Sequence, residues 1–402
     1  MVHVAVRYRL VVMTIQFIDL KTQYQRIAPA VKHCIEAVLE HGRFIMGPEI
    51  SELEERLAAY VGSKYCVSCS SGTDALLMPL MALGIGPGDA VFTTPFTFMA
   101  TAEVISLCGA TPIFVDVDPV TFNIDPVKLA LAVTAVECND PSIYPLPKAT
   151  GPLRPRAIIP VDLFGLPADY QQINALAASK GLAVIQDAAQ SFGGVYAGKR
   201  TCSHGLCGAT SFFPAKPLGC YGDGGAVFTD DAELKARFVS IRVHGQGTDK
   251  YENIRIGLNA RMDTIQAAIL LLKLDIFDEE LAARQIVAAS YRQRLSQIAT
   301  LTLPPIVPLG SVSAWAQFSV LAKDCLVRDS IRARLDAVGI PTMIYYPKPL
   351  HLQNAYAGLG YSQGNLPVCE DLAGRIFSLP MHPYLEETVL QQICSEVENA
   401  VS

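Results

Sequence analysis

The sequence has no excess of positive charge and no long uninterrupted apolar run. Its 32 Lys and Arg residues against 38 Asp and Glu residues give a formal net charge of −6, without the basic stripe that binding to a phosphate backbone requires. After the N-terminal residues, the longest apolar segment is 265–274. It is interrupted by Lys273 and is too short to cross a bilayer. We therefore expect neither nucleic acid as a partner nor membrane insertion.

Several catalytic and metal-binding motifs are also missing. No serine lies in a G-x-S-x-G elbow, and the glycine-rich stretch 222–225 lacks the Walker spacing and its Lys-Ser/Thr ending. The cysteine pairs at 66–69 and 202–207 lack the second matching pair of a closed zinc site. We expect no metal ion and neither a triad hydrolase nor a P-loop protein.

The length and composition are typical of a globular protein with two domains. The chain has 402 residues, half of them apolar, which is too long for one small core. Its eleven cysteines are an odd number and fall mostly in apolar runs, as buried free thiols do in reducing compartments. We therefore expect a cytoplasmic protein.

The hydrophobic pattern predicts α/β architecture with a mostly parallel sheet, because short β-rich runs alternate with helical runs from about residue 50. The predicted strands are 65–68, 90–93, 112–115, 157–161, 183–186, 211–213 and 226–229. Capping boxes at 51–54 and 263–266 predict helices that begin there.

The predicted domain boundaries follow from these elements. Residues 1–14 read as an N-terminal extension with little structure. Residues 15–265 form a large domain, in which the segment 137–155 carries five prolines and is interpreted as an exposed inserted loop. Residues 266–402 form a smaller C-terminal α+β domain.

Lys216 lies in an apolar, glycine-rich turn that follows a predicted strand. Burial disfavours the ammonium form and lowers the lysine pKa, which frees the amine to attack an aldehyde. A single lysine in a loop is far more often a surface charge, so Lys216 alone does not indicate a reactive amine.

Asp187 directly follows the predicted buried strand 183–186, at the position where open α/β sheets place ligands. Pyridoxal 5′-phosphate (PLP) needs a carboxylate there to keep its pyridine nitrogen protonated. Gln190, one helical turn later, would reach the phenolic oxygen of the same ring. The alternative for Asp187 alone is an ordinary helix cap.

Two further turns fit the same cofactor. The turn 71–74, which includes Gly72 and Thr73, joins a strand to a helix whose free N–H groups and dipole favour a phosphate. Phe98 lies in a loop just after a strand, where an aromatic ring can stack on the cofactor. Each has an ordinary alternative, an N-cap for Thr73 and a core packing role for Phe98.

Taken together, these segments resemble the DegT/DnrJ/EryC1/StrS family of nucleotide-sugar aminotransferases. The resemblance runs from about residue 17 to the C-terminus and rests on these motifs: GRFIMGPEI, SGTDAL, TPFTF, QDAAQS, SFFPAKPLGCYGDGG, RVHGQG, GLNARMDTIQAAIL, YYPKPLH and SLPMHPY. It implies the fold-type I PLP-dependent transferase architecture of the aspartate aminotransferase superfamily. It also implies a homodimer with active sites at the subunit interface.

The resemblance implies a role for each matching residue. Lys216 would carry PLP as a Schiff base and then move the proton. Asp187 would pair with the pyridine nitrogen, and Gln190 would lie against the ring oxygen. The remaining cofactor contacts would be Phe98 on the ring, Gly72, Thr73 and Ser211 on the phosphate, and Asn259 on the phosphate of the other subunit.

The resemblance is strongest to the subgroup that aminates UDP-2-acetamido-2-deoxy-3-keto-glucuronic acid for surface polysaccharides, with L-glutamate as the expected donor. Segments 242–246, 258–274 and 378–385 are similar to that subgroup. Tyr345 departs from it, because the subgroup often has His-Tyr where this chain has Tyr-Tyr. The expected substrate contacts are Arg261 first, Arg43 second, and Tyr345, Tyr346 and His351.

Other functions remain open at this stage. The substrate could be another 3-keto or 4-keto sugar linked to UDP or dTDP. A ketosugar dehydratase of the same family would carry histidine in place of Lys216. A non-catalytic protein with this fold, acting as a regulator or binding partner, would be expected to lose Lys216 or Asp187, and both are present.

Overall fold

The computed structural model describes residues 15–249 and 251–401, so the predicted extension 1–14 lies outside the described residues. The strands are β1 (Tyr65–Cys69), β2 (Asp89–Thr93), β3 (Thr111–Phe114), β4 (Arg154–Ile159), β5 (Ala183–Asp187), β6 (Val195–Tyr196), β7 (Lys199–Arg200), β8 (Cys207–Ser211), β9 (Gly225–Thr229), β10 (Leu301–Thr302), β11 (Phe318–Ala322) and β12 (Ile376–Leu379).

Eleven α-helices are described in the same ranges. They are α1 (Leu20–His41), α2 (Pro48–Val61), α3 (Gly72–Ala82), α4 (Ala100–Leu107), α5 (Pro126–Cys138), α6 (Tyr170–Lys180), α7 (Ala232–Arg242), α8 (Thr264–Leu295), α9 (Cys325–Ala337), α10 (Pro367–Arg375) and α11 (Glu387–Val401). Among the described residues, no helix combines the length and the apolar character needed to cross a membrane.

The main sheet has seven strands in the order β1-β9-β8-β5-β4-β2-β3. Neighbouring strands are parallel except that β9 is antiparallel to both β1 and β8. The strands are almost wholly buried, as expected when helices cover both faces of a parallel sheet. The mostly parallel sheet with its helices confirms the predicted fold-type I class.

A second, antiparallel sheet follows in the order β10-β11-β12. The long helix α8 connects the two regions and packs on α1, α2 and α11. The main sheet lies wholly before residue 265 and the second sheet wholly after it. The division into domains at that residue stays a prediction.

Three local predictions differ from the structure. The strand predicted at 211–213 is β8, which ends at Ser211, because its small residues (Cys-Gly-Ala-Thr-Ser) carry little of the β-branched and aromatic signal. The helix predicted from Ser51 begins earlier, at Pro48, where proline suits the first helical position. Asp263 forms no side-chain cap on α8.

The proline-rich segment is not simply an exposed loop. Helix α5 continues to Cys138 and β4 starts at Arg154, and between them Tyr144 is buried. The Tyr144 hydroxyl accepts a hydrogen bond of 2.8 Å from the backbone N–H of Asp116. The N–H of Lys148 donates to the carbonyl of Leu359 at 2.7 Å. This segment therefore packs against the chain that precedes α10.

A buried ion pair joins α2, β1 and α7. Arg242 is 3% exposed and donates to Glu54 Oε1 at 2.5 Å and to the carbonyl of Ser68 at 3.0 Å. The same Glu54 oxygen accepts from the N–H of Ser68 at 2.9 Å. The carboxylate therefore balances a guanidinium that has little access to water.

Replacing Glu54 by alanine leaves Arg242 buried without its anionic partner, which we expect to lower the free energy of unfolding by ~3 kcal/mol. The matched control is Glu137→Ala, which breaks the exposed pair between Glu137 and Lys180 at 2.7 Å and should cost less than ~1 kcal/mol. Urea denaturation measures both. Equal losses in the two variants would contradict the importance of the buried pair.

Candidate active site

The carboxyl ends of the parallel strands bring the predicted cofactor residues to one edge of the main sheet. Strand β5 ends at Asp187, β8 ends at Ser211, and the turn after β1 leads into α3 at Gly72. Strands β5 and β8 are parallel neighbours, with Asp187 paired to Ala209. Such an edge is where open α/β sheets bind ligands.

Asp187 is buried and held on both carboxylate oxygens. Thr101 Oγ1 donates to Oδ2 at 2.8 Å, and the N–H of Ala189 donates to Oδ1 at 3.2 Å. Burial raises the pKa of Asp187, while these two hydrogen bonds and the charge of Lys216 act to lower it. The carboxylate is therefore fixed in orientation and is suited to a cationic partner.

Lys216 lies in the loop 212–224, between β8 and β9. Its N–H donates to the carbonyl of Phe213 at 2.9 Å, and the loop is closed by a bond of 2.8 Å from the N–H of Phe212 to the carbonyl of Gly224. Burial lowers the pKa of Lys216, and the opposing effect of the Asp187 charge is smaller. The amine is thus more readily deprotonated than an exposed lysine.

The N-terminus of α3 and Ser211 lie side by side. A Cβ atom on Gly72 would lie 2.6 Å from Cβ of Ser211, so only glycine fits this approach. The Oγ of Ser71 accepts from the N–H of Asp74 at 3.1 Å and caps the helix. The first N–H groups of α3, including that of Thr73, have no intrahelical acceptor and favour an anion.

Gln190 connects this edge to the C-terminal segment. Its Oε1 accepts from the N–H of Phe164 at 2.7 Å, and its Nε2 donates to the hydroxyl of Tyr346 at 3.2 Å. Burial raises the pKa of Tyr346, and the charge of Asp187 acts in the same direction. Tyr346 therefore joins the cluster, and Tyr345 packs beside it with 5.7 Å between the ring centroids.

The other predicted residues differ in their exposure in the single chain. Phe98 is 58% exposed, and Arg43 and Asn259 are also exposed. His351 is 1% exposed, and its Nε2 is 3.0 Å from Glu370 Oε1. The side chain of His351 is enclosed in the single chain, and its contact with the substrate stays a prediction. Arg261 is partly buried, and its Nε has no hydrogen-bond partner among the described residues.

The predictions missed Thr101 and Phe164. Thr101 follows the TPFTF motif on the first turn of α4. Its hydroxyl orients Asp187, which no local pattern indicates. Phe164 has a φ of 58°, and its N–H holds Gln190. Both contacts join residues distant in sequence, so spacing alone could not find them.

Residues 25–398 match the DegT/DnrJ/EryC1/StrS aminotransferase family. The chain belongs to this family. It is 48% identical to the UDP-2-acetamido-2-deoxy-3-oxo-D-glucuronate aminotransferase of Pseudomonas aeruginosa, over 96% of this chain and 100% of the relative. It is 41% identical to a pleiotropic regulatory protein of Geobacillus stearothermophilus, over 96% and 98% of the two chains.

The solved structures agree with this assignment. A DegT/DnrJ/EryC1/StrS aminotransferase from Brucella abortus has a TM-score of 0.90 and 48% identity, covering 96% of this chain and 99% of the other. The chain is a sugar aminotransferase of a family whose members depend on PLP. The family match and the similar solved structure confirm the predicted resemblance.

The residues present fit PLP. The approach of Gly72 to Ser211 provides a close cradle at a helix N-terminus, which suits a phosphate. Asp187 provides the buried carboxylate that a pyridine N–H requires, and Lys216 provides an amine whose pKa burial lowers. Within the described residues, no group of three or more His, Cys, Asp or Glu side chains is placed to hold a metal ion.

Replacing Gly72 by alanine should weaken PLP binding about tenfold, since the new methyl group must displace Ser211 or the start of α3 from the phosphate position. Gly86→Ala is the control, because its Cβ would meet nothing closer than a carbonyl oxygen at 3.7 Å. Equilibrium dialysis with PLP measures the dissociation constants. Unchanged affinity in Gly72→Ala would argue against a phosphate site at this turn.

Proposed function

We propose that this chain transfers an amino group from L-glutamate to the keto carbon of a UDP-linked 3-keto sugar, with UDP-2-acetamido-2-deoxy-3-oxo-D-glucuronate as the substrate. The observation that carries the proposal is the cluster of Lys216, Asp187 and the Gly72–Ser211 cradle at one sheet edge. The full-length similarity to the Pseudomonas enzyme supports the choice of sugar.

The cofactor and the protein divide the chemistry. Bound PLP supplies an electron sink for the charge that develops beside the amino group. Asp187 would accept the hydrogen bond of the pyridine N–H, and Thr101 fixes the orientation of the carboxylate by donating to its Oδ2. Because Asp187 is buried, its charge acts at low dielectric and holds that proton firmly.

Lys216 carries the proton. Burial lowers the pKa of its amine, so the neutral form would be available to take the proton from the α-carbon of the amino donor and, as a general acid, to deliver it to C4′ of the bound cofactor. Gln190 fixes the Tyr346 hydroxyl near the same edge. The two side chains limit the space on one side of the site and exclude water from part of it.

The sugar would be recognised by charged side chains at the rim. An arginine binds a carboxylate or a diphosphate through two parallel hydrogen bonds. Arg261 has a buried Nε without a partner among the described residues, which leaves the guanidinium available for such a ligand. Arg261 is therefore our proposed contact for the uronate carboxylate, and exposed Arg43 and partly buried Tyr345 are further candidates.

We further propose a homodimer in which each subunit completes the other's site. Exposed Asn259 follows a segment with two outward apolar side chains, Ile254 and Ile256. Leu107 and Ile256 line the same surface groove. Exposed apolar side chains of this kind favour burial against another chain. Covering it with a second copy would place Asn259 at the interface, where it would reach the partner's phosphate site.

Participation of the enzyme in surface polysaccharide synthesis is part of the same proposal, because amino-uronic acids are the expected products. The regulatory name of the Geobacillus relative belongs to that protein. Retention of Lys216 beside Asp187 favours catalysis for this chain, since a purely regulatory protein has no need of a buried amine with a lowered pKa.

Lys216→Ala should lose the visible absorbance of covalently held PLP and reduce turnover about 10³-fold, because the group that moves the proton is gone. Lys323→Ala, on an exposed lysine distant in sequence, should retain both. Absorbance spectra and a coupled glutamate assay provide the measurements. Full turnover in Lys216→Ala would overturn the proposed function.

A panel of UDP- and dTDP-linked 3-keto and 4-keto sugars tests the substrate. We expect kcat/KM for the UDP-linked 3-keto uronate to exceed the others by about tenfold or more, since a bidentate carboxylate contact discriminates strongly. Arg261→Leu should reduce the preference for the uronate over a 3-keto sugar without the carboxylate. Preference for a 4-keto, non-uronate sugar would reject this substrate and leave amino transfer intact.

A further inference from the structure

A charged side chain lies on the buried face of α8. Lys273 is 1% exposed and interrupts the apolar run that the helix packs against its neighbours. A buried ammonium group is costly unless it is hydrogen-bonded or paired. The groups that the Lys273 ammonium contacts therefore indicate the role of this side chain.

The ammonium group of Lys273 is directed at the loop that carries Lys216. Its Nζ donates to the carbonyl of Gly219 at 2.7 Å and lies 4.1 Å from the ring centroid of Tyr221. The second distance is within the range of a cation–π contact. Both partners follow Lys216 by three to five residues, so the helix holds the loop just beyond the catalytic lysine.

A second residue of α8 holds the same loop. Gln266 precedes Lys273 by seven residues, which places both on one helical face. Its Oε1 accepts from the N–H of Tyr221 at 2.9 Å. A Cβ atom on Gly222 would lie 3.1 Å from its Nε2. The two side chains together fix the backbone from 219 to 222.

The position of Gly219 determines the position of the residues before Lys216. A Cβ atom on Gly219 would lie 2.6 Å from the carbonyl oxygens of both Phe213 and Pro214. The loop is therefore folded back on itself, with Gly219 against the backbone that leads into Lys216. A shift of Gly219 must move this backbone as well.

We propose that Lys273 is a positioning residue for Lys216: by binding the Gly219 carbonyl and the Tyr221 ring, it holds the loop 212–224 so that the Lys216 amine keeps its position relative to Asp187. The proposal rests on the proposed role of Lys216. Lys273 lies on the long helix α8 and would affect the reaction only through its contacts with this loop.

The charge state of Lys273 is consistent with this role. Burial lowers the pKa of Lys273 to about 8, and the nearby Glu280 and Cys220 limit the decrease. Below that pH the ammonium form prevails and keeps both the hydrogen bond and the cation–π contact. Glu280 lies seven residues further along α8 and accepts from Gln23 Nε2 at 2.9 Å.

The first test is hydrogen–deuterium exchange on the full-length, cofactor-free protein. In Lys273→Met we expect amide exchange in residues 217–222 to become about tenfold faster, since the loop loses the contact that opposes its opening. The matched control is Tyr291→Phe, which removes another buried side-chain bond from α8, that of the Tyr291 hydroxyl to the carbonyl of Pro380 at 2.9 Å. Exchange in 217–222 should not change there.

The second test is steady-state kinetics on the PLP-loaded enzyme. Lys273→Met should lower kcat about tenfold and leave the KM of both substrates within about twofold, because a misplaced amine slows the proton transfer without removing a substrate contact. Tyr291→Phe should retain kcat. Equal exchange in 217–222 for wild type and Lys273→Met, or a rise in KM alone, would overturn the proposal.

Gln266→Leu tests the loop if Lys273→Met does not fold. It removes the acceptor of the Tyr221 N–H, so exchange at Tyr221 should accelerate, and unchanged exchange there would count against the proposal. The exchange experiment tests the position of the loop, and its result is independent of the experiment that tests the proposed function. Full turnover in Lys216→Ala would reject the role of Lys216 whatever the exchange experiment shows.

Discussion

Asp187, which is buried, and Lys216, which is partly buried, are two oppositely charged groups at the same edge of the main sheet. Burial alone would neutralise both, raising one pKa and lowering the other. Each charge opposes that shift in the other. Thr101 orients the carboxylate of Asp187. The proposed contact of Lys273 with the Gly219 carbonyl would keep the Lys216 amine in a fixed position relative to that carboxylate.

Much of this arrangement could be predicted from the sequence because it depends on local patterns. The strand before Asp187 and the turn at 71–74 have apolar runs bounded by turn residues, and parallel strands bring such ends together. The DegT/DnrJ/EryC1/StrS motifs then predicted the family and its cofactor. The seven-stranded sheet follows the same alternation of short strands and helices.

The remaining features depend on contacts between distant residues. Thr101 orients Asp187 across 86 positions, and Gln190 meets Tyr346 across 156. The capping box at 51–54 was wrong, because α2 begins at Pro48, whereas the one at 263–266 correctly predicted the start of α8 at Thr264 but not a cap bond from the Asp263 side chain. Glu54 binds Arg242, and Gln266 binds the Tyr221 N–H, so each side chain predicted to cap its own helix is occupied by a tertiary contact that local propensity cannot represent.

The proline-rich segment between α5 and β4 has a consequence for exchanging parts between relatives. Its Tyr144 hydroxyl holds the backbone of Asp116, whose carboxylate accepts from the N–H groups of Val368 and Cys369 at the start of α10. Lys148 meets Leu359 a few residues earlier. The proline-rich segment and the C-terminal third therefore depend on these shared contacts for their positions. A chimera that exchanges the C-terminal third must carry residues 139–153 with it.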